Sequence, residues 1–311
     1  MIFTVTLNPS LDKYFVVDHV RSDAVNRGTI KEVNAGGKGI NVSRFLKAFS
    51  VDSVILTFVG GYVGQTIMKA LVESGFSVMD FQSEGNTREN ITLFSEENSE
   101  IYKLNEFGPT ISADELEKFL STVAELADAG DIWVLSGSLP PGVSNDIYVR
   151  MIEILHEKKA QVLIDSSRSA LRSAVSVQPD FIHMNADEVA EFCGKEIADR
   201  DSLVQAVEDL MEQYSFEGLL CSLGEDGALL AFGQEIYHIA APNVWVVSTT
   251  GAGDAMVSAF LFALKKGCSV EEMGRWAVAA GTTKVTIPGT DVFKMEDVQA
   301  NLSKTKVNKI K

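Results

Sequence analysis

From about residue 37 onward, short apolar runs alternate with helix-length amphipathic segments, and this alternation constrains the fold more than any other feature. "VDSVILTFVG" (51–60), "DIWVLSG" (131–137), "AQVLIDSS" (160–167), "DFIHMN" (180–185) and "GLLCSLG" (218–224) read as buried strands. "GQTIMKALVESG" (64–75) reads as a helix closed by Gly75, and "SNDIYVRMIEILHEKK" (144–159) as one capped by Ser144 or Asn145; further helical patterns lie at 187–193 and 201–214. Near-continuous Val/Ile/Leu strands separated by helices predict a mostly parallel sheet with helices on both faces. Ligands of such sheets bind outside the carboxyl ends of the strands.

Two segments break the rhythm. Residues 13–36 and 87–108 alternate polar and apolar without a helical period, the second as a hairpin turning at "SEENSE". They predict a small antiparallel lid, discontinuous in sequence, whose exposed face could cover a substrate or another subunit. The expected organisation is therefore one domain over 1–311, with an α/β core from 1–12, 37–86 and 109–311.

Composition excludes several function classes. A net charge of −16 across 311 residues leaves no basic excess to neutralise phosphates, so no nucleic-acid partner is expected. The start "MIFTVTLNPSLDK" lacks a cationic region followed by a long apolar stretch, and the longest apolar run, "AMVSAFLFAL" (255–264), is too short to span a bilayer. A cytoplasmic protein with no membrane partner is expected. The three cysteines are odd in number and far apart, and the four histidines show no metal-ligand spacing.

The chemistry concentrates in glycine-bearing loops. "STTGAGDAM" (248–256) lies between "NVWVVS" (243–248), read as a strand, and an apolar-faced helix over 255–267. Gly251, Ala252 and Gly253 thus sit at a helix N-terminus, where free amides and the helix dipole attract anions. The dinucleotide fingerprint fails because Met256 stands where glycine is required, and neither "GGKG" (36–39) nor "CGKE" (193–196) has Walker A spacing. Asp254 either caps the helix or serves as a base beside a bound phosphate.

Other loops carry the same ambiguity. "SLGEDG" (222–227) is a tight turn between strands or the wall of a nucleotide site. Gly36, Gly37, Lys38 and Gly39 form a hinge or a sugar or phosphate contact. Asp12 makes an Asx-turn or binds hydroxyls, and Arg88 is solvated or grips an anion. Asn185 and Glu188, in "NADE", form a capping box or organise magnesium through water.

Taken in order, "TLNPSLDK", "NAGGKGINVSR", "TRENI", "LSGSLPPGV", "IDSS", "NADE", "SLGEDGALL", "STTGAGDAMVSAF" and "AAGTTKVTIPGT" resemble the ribokinase-like (PfkB) carbohydrate kinase family over the whole chain. The similarity is strongest to the branch that phosphorylates sugar phosphates, 1-phosphofructokinases and tagatose-6-phosphate kinases. The resemblance implies a ribokinase-like fold and an ATP- and Mg2+-dependent kinase, with a small-molecule sugar phosphate as acceptor and fructose 1-phosphate preferred over tagatose 6-phosphate. A kinase of an unphosphorylated sugar or nucleoside, or a non-catalytic nucleotide-binding protein, comes behind these.

The same resemblance implies that Asp254 is the base and that Gly251, Ala252 and Gly253 form the anion hole. Asp12, Gly37, Lys38, Asn41, Arg88 and Ser138 would hold the sugar phosphate. Ser222, Leu223, Gly224, Glu225, Asp226, Gly227, Gly253 and Asn185 would line ATP. Asn185 and Glu188 would organise magnesium through water, and the lid would close over the sugar and pair two subunits. His183-Met184 replaces the usual Lys-Pro, Lys103 a glutamate, Asp291 a glycine, and Ser248 an Asn or Asp.

Overall fold

In a computed structural model that describes residues 1–289 and 291–311, the alternation becomes one ten-stranded sheet with a four-stranded sheet beside it. The chain enters through β1 (Ile2–Thr6), leaves for β2 (Ser10–Val17) and β3 (Thr29–Gly36), and returns through α1 (Lys38–Ala48) to β4 (Val54–Val59). After α2 (Gly61–Glu73) and β5 (Ser77–Gln82) it leaves again for the hairpin β6 (Arg88–Ser95) and β7 (Glu100–Asn105). Helix–strand units follow: α3 (Ala113–Leu126) and β8 (Ile132–Ser136), α4 (Ile147–Glu157) and β9 (Gln161–Asp165), α5 (Arg168–Val175) and β10 (Phe181–Asn185). The helices α6 (Ala186–Cys193) and α7 (Arg200–Tyr214) lead to β11 (Gly218–Ser222), and β12 (Ala228–Phe232) and β13 (Glu235–Ala240) form a meander. The chain ends with α8 (Ala252–Lys265), α9 (Val270–Val285), α10 (Met295–Leu302) and β14 (Lys306–Lys309).

The main sheet has the order β14-β13-β12-β11-β10-β9-β8-β1-β4-β5, parallel from β11 through β5 and antiparallel at the β12–β14 edge. Its inner strands are buried on both faces, as their apolar runs require, while the edge strands β5 and β14 are partly exposed. On one face Val257, Phe260 and Leu261 of α8 and Ala277 and Val278 of α9 pack with Val42 and Leu46 of α1. On the other, Phe119 and Val123 of α3, Met151 and Leu155 of α4 and Val207 of α7 close the second core. Among the described residues, no helix is long and apolar enough to cross a membrane.

The small sheet has the order β3-β2-β6-β7 and consists of two antiparallel pairs joined by a parallel β2–β6 register. This register sets Ser10 opposite Arg88 and Asp12 opposite Asn90, so two segments far apart in sequence share one floor.

Three local expectations change. Residues 243–248 are not a strand: β13, the strand just before them, is already paired on both edges, by β12 and β14. The segment is held instead by the Val247 and Ser248 N–H groups, both donating to Val285 O, and Trp245 is 86% exposed. Helix α4 begins at Ile147 with Asp146 as its cap residue, and no side chain caps it; Ser144 is taken up in a backbone turn with Ile147. Helix α8 begins at Ala252, three residues before the sequence pattern suggested, which draws Asp254 into its first turn. Thr290, the last residue of the "AAGTTKVTIPGT" stretch, lies outside the described residues.

Candidate active site

The parallel register lines up the carboxyl ends of the central strands. Thr6, Ser136 and Asp165 are paired neighbours at the ends of β1, β8 and β9, and Asn185 is opposite Ser222 at the ends of β10 and β11. The loops leaving these ends carry most residues singled out from sequence, as expected for the carboxyl edge of an open α/β sheet.

Opposite this edge stands the start of α8. Gly251 is its cap residue with φ 79°, a left-handed conformation that favours glycine. Among the described residues, the Gly253 and Asp254 amides have no backbone acceptor, so this helix end presents free donors. Asp254 is 6% exposed and accepts from Asn41 Nδ2 at 2.8 Å. Arg44 Nη1 donates to Asn41 Oδ1 at 2.7 Å, and Arg44 Nη2 to Ala35 O at 2.7 Å. The guanidinium thereby fixes which end of the Asn41 amide faces Asp254. Asn41, expected to contact the sugar, is here hydrogen-bonded to Asp254.

Burial, then the Asp165 carboxylate, pushes the Asp254 pKa up to about 6; Lys38, the Asn41 hydrogen bond and His183 pull against them. A carboxylate poised near neutrality suits a general base. Lys38 Nζ is 2.7 Å from Asp165 Oδ1, and His183 Nδ1 lies 3.2 Å from the same oxygen. Burial alone would raise Asp165, but the Lys38 ammonium and His183 hold it well below the usual carboxylate range. Burial would likewise lower Lys38, and Asp165 and Asp254 override it to hold the amine charged. The His183–Asp165 contact is close but poorly aligned, and neither ring nitrogen has a well-formed hydrogen bond among the described residues. The ring packs against Gly253, where an added Cβ would meet His183 Cε1 at 3.0 Å. Asp165 and His183 are the buried neighbours of Lys38 and Gly253 that motif reading left without a role.

On the lid side, Arg88 Nη2 donates to Asn8 O at 3.0 Å and reaches Ser138 Oγ at 3.5 Å. Asp12 Oδ1 accepts from Ser10 Oγ at 2.7 Å and Asn90 Nδ2 at 2.9 Å, and its carboxylate lies against the Gly36 backbone. Gly37, at φ 131°, turns the chain from β3 into α1. Asp12, Gly37, Lys38, Arg88 and Ser138 therefore lie around the junction of the two sheets.

A cleft of about 680 Å³ opens on the other side of Gly253. Ser222, Gly224, Glu225, Asp226 and Gly227 line it together with Ala252 and Gly253. Leu223 packs into the apolar core and contributes its backbone, its N–H donating to Gly227 O at 2.9 Å. Val244, Val246, Val278 and Thr282 complete the walls. None carries a role of its own in the sequence reading: 243–248 reads as a strand, and Thr282 enters only as part of the "AAGTTKVTIPGT" stretch. An apolar slot of this volume beside free helix-end amides is sized for a nucleotide.

Asn185 and Glu188 form a reciprocal capping box on α6: Asn185 Oδ1 accepts from Glu188 N at 2.8 Å, and Glu188 Oε2 from Asn185 N at 2.9 Å. One Glu188 oxygen is left for a water-mediated contact. Among the described residues no cluster of three or more His, Cys, Asp or Glu could hold a metal. The donor set thus fits a cation carried mainly by substrate phosphates.

The model of the pfkB family carbohydrate kinases matches residues 7–297. The chain is 35% identical to the 1-phosphofructokinase of Bacillus subtilis over 310 residues, covering 100% of each. It is 33% identical to the tagatose-6-phosphate kinase of Staphylococcus epidermidis over 283 residues, 90% of this chain and 91% of that one. The crystal structure of phosphofructokinase-2 from Escherichia coli in complex with substrates and products superposes with a TM-score of 0.92 at 29% identity, covering 97% of this chain and 98% of that one. With a sheet edge, a second small sheet and a helix end of free amides meeting at one buried carboxylate, the chain belongs to the pfkB family of carbohydrate kinases.

Proposed function

We propose that this kinase transfers the γ-phosphoryl group of ATP to a hydroxyl of a sugar phosphate, with fructose 1-phosphate as the acceptor and fructose 1,6-bisphosphate as the product. The observation that carries the proposal is Asp254 itself, a buried carboxylate with its pKa near 6 in the first turn of a helix whose free amides face a nucleotide-sized cleft. Its 35% identity to a 1-phosphofructokinase over the full length supports the choice of acceptor. Tagatose 6-phosphate is the alternative, favoured by the 33% identity to a tagatose-6-phosphate kinase.

Bound ATP supplies the phosphoryl group, with a divalent cation, Mg2+ in this reading, screening its phosphates. Asp254 takes the proton of the attacking hydroxyl as the new oxygen–phosphorus bond forms and the bond to ADP breaks. Asn41, held by Arg44, keeps the receiving oxygen aimed. The Gly253 and Asp254 amides, with Gly251 and Ala252 shaping the turn, stabilise negative charge on the transferring group. Ser222–Gly227 and Asn185 border the nucleotide, and Glu188 reaches the cation through water. Asp12 and Gly37 contact the sugar hydroxyls, while Lys38, Arg88 and Ser138 hold the phosphate already present.

The lid closes over the acceptor to exclude water. We also propose that it pairs two copies of the chain: β7 is exposed at every residue, with Ile101 and Leu104 at 58% and 61%. The test is ADP release from fructose 1-phosphate, tagatose 6-phosphate, fructose 6-phosphate, fructose and ribose. Fructose 1-phosphate is expected to show the highest kcat/KM, and a preference for free fructose or ribose would overturn the assignment.

A further inference from the structure

Lys284 is among the largest fully buried side chains of the protein, at 0% exposure, and nothing in the proposed reaction uses it. It sits in the last turn of α9, where the helix dipole favours a cation. Among the described residues its only hydrogen-bond acceptor is Ile287 O, at a long 3.4 Å. A buried ammonium with so little solvation is costly unless a nearby negative charge compensates it.

The charges that face Lys284 come from three directions. Asp291 lies in the segment after α9, Glu32 on lid strand β3 and Asp254 on α8; they oppose the burial that pushes the amine downward. The side chain also reaches the back of the anion loop. A Cβ built on Gly251 would lie 3.6 Å from Lys284 Cε, so the aliphatic stem packs behind the residue that caps α8. The end of α9 also holds the preceding loop, through the Val247 and Ser248 N–H bonds to Val285 O at 2.7 and 3.2 Å. One short stretch of α9 thus fixes the loop leading into the anion hole and places the Lys284 amine behind it.

We infer that Lys284 is a built-in cation of the anion hole, a positioning residue that charges the α8 N-terminus from behind and offsets the phosphoryl group arriving in front. The inference rests on the reading of this site as a phosphoryl-transfer centre. A fixed positive charge in a water-excluded site costs no reorganisation when negative charge develops, which is why such groups favour the transition state. Because the ammonium is covalently held, the wild-type enzyme needs no monovalent cation from solution. Removing the ammonium takes away the charge that faces Ile287 O and the acidic groups around it, a place an ammonium or alkali cation from solution could take.

The experiment compares wild type with Lys284→Met, which keeps the length of the stem without the charge. Wild-type turnover in tetramethylammonium buffer is expected to be unchanged by added ammonium or potassium chloride. In Lys284→Met, kcat should fall on the order of 10²-fold, as for loss of one anion-hole donor, with KM for the sugar phosphate changed less than threefold. Ammonium or potassium chloride should restore kcat at least tenfold, a rescue that a purely structural lysine would not show. A variant kcat within threefold of wild type, or a folded variant that no monovalent cation rescues, overturns the inference. So does a wild type that gains tenfold from these salts, a result that holds even where the variant fails to fold. If wild type phosphorylates none of the sugars tested, the kinase reading fails instead. Inorganic phosphate binding then provides the readout: it should weaken in Lys284→Met and recover with ammonium, and unchanged binding refutes the role of Lys284.

Discussion

Replacing Asp254 by Asn should remove activity and stabilise the fold together, and the structure sets the size of both effects. In the wild type, folding raises this carboxyl from its ordinary 3.8 to about 6. Between these values the native state binds more protons than the unfolded chain, so stability is full below pH 3.8 and is lost as pH rises through 6. At 1.36 kcal/mol per pH unit the loss amounts to about 3 kcal/mol at pH 7, shrinking to well under about 1 kcal/mol at pH 4. An asparagine imitates the protonated acid, because its carbonyl can still accept from Asn41 Nδ2, whose orientation Arg44 fixes. Asp254→Asn should therefore melt higher than wild type at neutral pH, by roughly 2 °C per kcal/mol recovered, and the advantage should close towards pH 4. Loss of the base should lower kcat on the order of 10²–10⁴-fold, with nucleotide binding retained. Paired thermal melts from pH 4 to 8 and a pH profile of kcat/KM test both halves. A variant that melts at or below wild type at every pH, or a wild-type profile without an acidic limb near pH 6, refutes the reasoning.

Three further outcomes follow from the same geometry. Arg88→Ala should raise KM for the sugar phosphate about tenfold or more while leaving KM for ATP within twofold; equal effects would remove Arg88 from the phosphate site. Arg44→Gln frees the Asn41 amide to turn its oxygen towards Asp254, so kcat should fall about tenfold and the acidic limb should move to higher pH; an unmoved limb would show that Asn41 needs no such anchor. Gly253→Ala places a methyl 3.0 Å from the buried His183 ring and should displace the anion loop, lowering kcat at least tenfold. Pairing it with His183→Ser should restore part of that loss, and no restoration would place the clash elsewhere.

Much of this protein is legible in its residues. Apolar runs such as "DIWVLSG" and "GLLCSLG" become β8 and β11 because a strand buried on both faces must be apolar throughout, whatever packs against it. Glycine and aspartate at 251–254 mark an anion loop through local chemistry: only a glycine easily adopts the φ of Gly251, and free amides follow from any helix start. The run 243–248 misled because its apolar alternation satisfies the strand pattern, whereas a strand also needs an open edge beside it, and β12 and β14 already pair both edges of β13, the strand just before.

The sequence by itself determined the fold class and the loops that carry chemistry, since hydrophobic periodicity and turn chemistry act over a few neighbouring residues. Only the tertiary structure decided the electrostatics of the site. The Lys38–Asp165–His183 contacts, the Arg44–Asn41–Asp254 chain and the burial of Lys284 behind Gly251 join residues up to 213 positions apart. Charge interactions depend on distance and on exclusion of water, and packing sets both.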